Sequence, residues 1–231
     1  MRWMTLLGLM LLLGGMASAT AEPVFESVPA VDAPLTADPD SPFWRGARSV
    51  YAEGDVYGTA LPNLRTELRS RWSPTRLYLL FICPYRQLNL KPDPDPAYET
   101  MKLWQWDVAE AFIGDDPAHP DRYREFEVSP QGEWVDLDID PRNSKWGDPA
   151  WNSGFAVTAR IDAEHHIWYG AMAIPWPALT DAPPKPGLEL RANFYRLQGP
   201  PPDRALIAWR PTGQATFHVP AAFGVLRLVG E

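Results

Sequence analysis

The sequence predicts an all-β fold, an antiparallel β-sandwich of the jelly-roll kind with short helical turns. Three observations predict it. Short runs rich in β-branched and aromatic residues recur along the chain between clusters of Pro, Gly, Asp and Asn. Twenty-six prolines among 231 residues interrupt the chain too often for long helices. No segment sustains an apolar period of 3.6 residues.

Taken in order, residues 1–21 read as a secretory signal peptide. Arg2 supplies the positive start, Leu6 to Leu13 the short apolar stretch, and Ala17-Ser18-Ala19 or Ala19-Thr20-Ala21 the small-residue cleavage site. The stretch is too short to span a bilayer, and no second one follows, so the mature form is expected to be soluble, with no membrane partner. Residues 22–231 are then expected to form one β-sandwich domain. Its strands are predicted at Thr66 to Arg71 and Leu77 to Cys83, a hairpin turning at Trp72-Ser73-Pro74-Thr75, then Asp107 to Ile113, Tyr123 to Ser129, Trp134 to Ile139 and Phe155 to Ile161. Ile167 to Ile174, Leu188 to Leu197, Ala205 to Trp209 and Gly224 to Val229 complete the set. Helical turns are expected at Trp176 to Leu179 and in the proline-rich entry. The loops Lys91 to Pro96 and Gly199 to Asp203, stiffened by proline, lead to Trp104 and Trp209 and are expected at one rim.

Composition excludes several functions. The chain holds 21 basic and 29 acidic side chains, and losing Arg2 with the leader takes the net charge from −8 to −9. Nucleic acid and anionic membrane both need a basic surface, so neither is an expected partner. The single cysteine, Cys83, lies in an apolar strand pattern and reads as a buried structural thiol. His165-His166 reads as a hairpin tip, and His218 as a buried, hydrogen-bonded histidine.

Alternation assigns faces. In the strand from Asp107, Ala109, Ala111 and Ile113 are expected to look inward, leaving Glu110 with the parity of Trp104 and Trp106. Phe126 and Val128 look inward and Glu125 and Glu127 outward; Val135, Leu137 and Ile139 look inward and Trp134, Asp136 and Asp138 outward. The result is an acidic, aromatic outer face, on which Glu110 is a carboxylate beside indoles that calls for a partner. Flat rings standing at a rim suit sugars, whose apolar C–H face packs on an indole while polar groups meet the hydroxyls. Trp44, Trp146, Trp151, Trp168 and Trp176 are assigned mostly to packing.

Four stretches carry a family resemblance: Trp104, Asp107, Glu110, Phe112 and Ile113 in their spacing; Tyr123 to Pro130; Ala173-Ile174-Pro175-Trp176; and Ala208-Trp209 followed by Phe217 to Leu226. Together with Leu35 to Trp44, they resemble a family 9 carbohydrate-binding module from about Leu35 to Val229. The resemblance implies a β-sandwich that holds a sugar ring between two tryptophans, here Trp104 and Trp209, with Glu110 accepting from hydroxyls. Where the family has an arginine on the next strand, this sequence puts Glu127 in the most natural register, Arg124 only after a shift. Asn193 and Arg196 are the polar candidates on the Leu188 strand. Structural calcium occurs in the family, and Asp38 and Asp40 are the residues that would bind it; no cofactor is required for sugar binding.

The function so implied is secreted or periplasmic carbohydrate binding without catalysis, with a mono- or oligosaccharide ligand, in company with glycoside hydrolases acting on the same polysaccharide. The alternatives are a glycoside hydrolase using two of Glu110, Glu125, Glu127, Asp136 and Asp138, and a haem-binding sandwich ligated by Met101 and His119.

Overall fold

A computed structural model describes residues 23–142, 147 and 150–230; the signal peptide and Trp146 lie outside the described residues. The chain is all-β. Its strands are β1 (Val24–Pro29), β2 (Arg48–Ala52), β3 (Gly54–Asp55), β4 (Thr66–Trp72), β5 (Arg76–Pro84), β6 (Val108–Gly114) and β7 (Tyr123–Val128). They continue as β8 (Trp134–Ile139), β9 (Ala156–Asp162), β10 (Ile167–Pro175), β11 (Glu189–Gln198), β12 (Ala205–Ala208) and β13 (Gly224–Leu228). Short 3-10 turns punctuate them at Pro42–Trp44, Pro62–Leu64, Leu103–Gln105, Trp176–Ala178 and Pro220–Ala222. Proline opens or follows the start of all but the Leu103 turn, where its fixed φ and missing N–H fit the first helical position.

Hydrogen bonding joins the strands into one sheet in the order β8-β7-β6-β11-β13-β1-β4-β5-β10-β9, with β2, β3 and β12 branching from it. Most neighbours are antiparallel, as expected. β1 departs from that expectation: it runs parallel to β13 on one side and to β4 on the other, and so ties the two halves together. Phe25 and Ser27 of β1 are buried, Phe25 against Phe194 and Ser27 through a 2.8 Å hydrogen bond with Ser70. The path is therefore one nearly closed sheet, in keeping with the all-β class expected.

The main core fills the space between the halves. Ala109, Ala111 and Ile113 of β6, Phe126 and Val128 of β7, and Ala192 and Phe194 of β11 face Leu77, Leu79 and Phe81 of β5 and Trp168, Met172 and Ile174 of β10. At Gly170 a Cβ would lie 2.8 Å from Val128 and 2.9 Å from the Trp168 ring, so only glycine lets the layers approach there. Cys83 is buried in this core, and burial pushes its thiol up to about 12, an inert group. Trp44, Trp168 and Trp176 are buried and Trp151 packs half-buried on Phe126, which gives these indoles the packing role expected of them.

The reverse face of β6, β7, β8 and β11 is also covered. Phe112, Tyr123, Tyr195 and Val135 there form a second apolar cluster under Phe217 and Phe223 of the β12–β13 loop. That cover corrects the face predicted for β8. Register pairs Leu137 with Glu125 and Val135 with Glu127, so Val135, Leu137 and Ile139 share the carboxylate face. Trp134 packs on Phe155 and Asp136 accepts from the Ser153 N–H at 2.7 Å on the other side. Alternation could not tell the sides apart because both are buried.

Candidate functional site

Strand register gathers three acids on one face, two of which, Glu110 and Glu125, line a pocket. Glu110 on β6 stands opposite Glu127 on β7 and Tyr195 on β11, and Glu125 stands two residues from Glu127 on the same face. The expected open acidic face is instead covered: Glu110 is 2% exposed, Glu125 4% and Glu127 0%. The apolar wall adds Leu137, Ile139, Leu197, Leu206 and Phe217, and Trp104 and His218 stand at the mouth of a cavity of about 250 Å³. Trp104 is 36% exposed, a ring available to a ligand.

Burial sets the electrostatics. Loss of water around Glu110 and Glu127, reinforced by their repulsion of each other and of Glu125, holds both carboxyls well above the usual range. Burial raises Glu125 to about 7, while a proton shared with Glu127 works in the opposite direction. Apart from that shared proton, both oxygens of Glu127 and one of Glu125 meet no N–H or O–H among the described residues. His218 is held to about 4 by burial and is therefore neutral at pH 7; its Nδ1 lies 2.6 Å from the Tyr123 hydroxyl.

One cation approaches this floor, and sequence reasoning missed it. Arg204, in the β11–β12 loop, draws Glu110 and Glu127 downward through its charge. Its guanidinium donates to the carbonyls of Trp104 and Trp106 at 2.6 Å and of Gln105 at 3.1 Å, so it holds the turn that presents Trp104. The same loops are pinned from below by buried Asp107, which accepts from the backbone N–H groups of Gly199 at 2.6 Å and Asn89 at 3.2 Å. Burial raises Asp107 to about 6. Nothing local in the sequence marks Arg204; only a contact spanning a hundred residues gives it a role.

The remaining site candidates fall elsewhere. Trp209 is not brought to Trp104: its ring packs on Phe25 at 6.3 Å and Phe194 at 5.6 Å. Gly224 lies under it so closely that a Cβ would come within 2.7 Å of the indole. Asn193 is buried and acts as a brace. Its amide donates to the Tyr195 hydroxyl at 2.7 Å and the Arg210 carbonyl at 2.9 Å, and Tyr195 in turn donates to the Phe217 carbonyl at 2.9 Å. Arg196 takes the opposite parity and points into the main core, donating to Thr66 at 3.1 Å and the Pro84 carbonyl at 2.6 Å. Arg124 also leaves the site face, pairing with Asp138 and lying over the Trp151 ring.

Asp38 and Asp40, the residues expected to bind calcium, sit in a surface turn. Both are exposed, and Asp38 accepts the Asp40 N–H at 3.1 Å as a turn cap. No group of three or more His, Cys, Asp or Glu with metal-holding geometry occurs among the described residues. Met101 precedes β6 and His119 follows it, so the pair proposed as haem ligands is held at opposite ends of a seven-residue strand.

The arrangement of strands is shared with solved sugar-binding domains. A family 9 carbohydrate-binding module from Caldicellulosiruptor kristjanssonii, in complex with cellotriose, superposes with a TM-score of 0.65 over 90% of this chain and 95% of its own, at 13% identity. The chain therefore has the family 9 carbohydrate-binding-module fold. The same module in complex with glucose gives a TM-score of 0.63 at 13% identity, over 89% of this chain and 96% of its own. A candidate carbohydrate-binding protein from Bacteroides uniformis gives 0.70 at 16% identity, covering 90% of this chain and all of that one. No family model matches the sequence. A curated relative from Arthroderma benhamiae, named only as an extracellular protein, is 28% identical over 134 residues, 52% of this chain, and the match spans 60% of the relative's length. No helix among the described residues is long and apolar enough to cross a membrane.

Proposed function

We propose that this chain is an exported carbohydrate-binding domain that packs one face of a sugar ring on Trp104 and meets its hydroxyls with Glu110 and Glu125, without catalysis of its own. The observation that carries the reading is a half-exposed indole over a small cavity whose floor is acceptor-rich and whose walls are apolar. At about 250 Å³ the cavity is below the usual range of roughly 300 to 1,000 Å³ for drug-sized ligands, a size suited to one ring. Phe217 and His218, not Trp209, form the wall across from Trp104 in this reading. The glucose and cellotriose complexes of the family 9 module support a sugar ligand, and the name of the fungal relative supports export. Glycoside hydrolases working on the same polysaccharide are the proposed partners.

Raised carboxyl proton affinity is also what a glycosidase acid needs, and Glu125 has it. The geometry argues against that use. A glycosidase needs its two carboxyls on either side of the scissile bond. Here Glu110, Glu125 and Glu127 rise from neighbouring positions of one sheet floor and approach a ligand from one side.

A glycan array followed by calorimetry tests the proposal. Trp104→Ala, folded by circular dichroism, should lose about 2 kcal/mol, roughly thirtyfold in affinity. Undiminished binding of the selected sugar by that variant would mean the ring lies outside the site.

A further inference from the structure

The pocket floor holds buried carboxyls that a cationic donor would satisfy better than a neutral hydroxyl. Glu125, which lines the cavity, keeps one buried oxygen with no donor among the described residues, and beside it Glu127, which does not line the cavity, meets only the proton it shares with Glu125. The terminal nitrogens of Arg204, the cation nearest them, donate to three backbone carbonyls, and its buried Nε has no partner among the described residues. From β8 only apolar side chains, Val135, Leu137 and Ile139, face the floor. The phenols of Tyr123 and Tyr195 and the imidazole of His218 are neutral at pH 7, and two of these three already share one hydrogen bond. Three carboxyls so enclosed repel one another when ionised, and their protons are what now relieves that repulsion. A ligand that brings a positive charge and several N–H donors to this point would replace those protons, whereas a hydroxyl brings one donor and no charge.

Resting on the sugar-binding reading, we propose that the pocket selects an amino sugar, with its protonated primary amine directed at Glu110 and Glu125 and its ring against Trp104. The ammonium displaces a proton from the carboxyl cluster to solvent, so binding is coupled to proton release. Apparent affinity then rises with pH until the amine itself loses its proton.

Calorimetry of the full mature chain at pH 7 with D-glucosamine, D-glucose, N-acetyl-D-glucosamine and ethanolamine tests this. Glucosamine should bind at least tenfold tighter than the other three, and titrations in two buffers of different ionisation enthalpy should reveal protons released with glucosamine alone. Glu125→Gln should bring the ratio of glucosamine to glucose affinity close to one; near-ultraviolet circular dichroism checks that it folds. Glucose or the N-acetyl sugar binding as tightly as glucosamine would overturn the amine preference and leave the sugar-binding reading standing. Ethanolamine binding as tightly as glucosamine would also overturn it, because the ring would then contribute nothing. Binding of none of the four, with a glycan array equally blank, would sink both.

Discussion

Replacing Glu125 by Gln should change the pH dependence of stability in a direction that few surface substitutions could imitate. In the unfolded chain this carboxyl ionises near 4.5, and in the folded chain near 7. A folded-state value raised above the unfolded one means the native state holds the proton more tightly. The associated stability is fully present below pH 4.5 and is lost as pH rises through 7. A rise of that size corresponds to about 3 kcal/mol, a substantial part of the roughly 5 to 15 kcal/mol that holds a domain together. Gln fills the same space and cannot ionise, so the variant escapes the loss. Urea unfolding of both proteins from pH 4.5 to 8 should show the stability difference moving in favour of the variant by about 3 kcal/mol across that range. His218, held down to about 4, and Asp107, raised to about 6, titrate in the same window in both proteins and cancel in the difference. Glu110 and Glu127 stay in both proteins and keep a downward trend going above pH 7, less steeply in the variant, where the repulsion from Glu125 is gone. A difference that stays flat from pH 4.5 to 8 would mean water reaches Glu125, and the enclosed floor on which the site rests would be refuted.

The other outcomes are simpler. Trp209→Ala should lower stability by about 2 kcal/mol, below the range of roughly 3 to 5 for a fully buried aromatic because the ring is half-buried against the core, with no change in sugar affinity for the folded fraction; paired urea unfolding and calorimetry distinguish that from a lost binding wall. Protein recovered outside the cell should begin at Thr20 or Glu22 by intact mass, and material retaining Met1 to Ala19 would refute export by cleavage.

Local chemistry made most of the strands legible, because turn residues bracket apolar alternation at nearly every boundary from β4 onward. β1 escaped: Val-Phe-Glu-Ser-Val-Pro carries only Phe25 as a strong core residue, and its buried Ser27 looks polar until the Ser70 hydroxyl is seen to donate to it. For the site, the residue types on β6 and β7 were readable and their environment was not. Alternation places Glu110 and Glu127 together on one face, yet says nothing of what covers that face. Phe217 and Phe223 arrive from a loop about a hundred residues later and turn an open surface into an interior. Trp209 illustrates the converse. Its neighbours Arg210 and Pro211 suggest a rim, while the partners that fix its ring, Phe25, Phe194 and Gly224, are scattered along the chain.

The two halves of the site are thus held by long-range bonds of different kinds, and this bears on how far the floor can vary without loss of fold. On one side Asn193 orients Tyr195, and Tyr195 holds the Phe217 carbonyl, so the apolar wall is positioned by neutral hydrogen bonds whose groups stay uncharged through the physiological range. On the other side Arg204 fixes the Trp104 turn through hydrogen bonds to carbonyls, while its charge also acts on Glu110 and Glu127. The hydrogen bonds of neither support include Glu110, Glu125 or Glu127. The carboxyl cluster can therefore gain or lose protons, or exchange them for a ligand's cation, while the walls that shape the pocket stay in place. A floor built for packing alone would be expected to carry neutral side chains there, since buried carboxyls with unmet oxygens reduce stability. Their presence between two independently braced walls is the strongest structural argument that the floor serves a ligand.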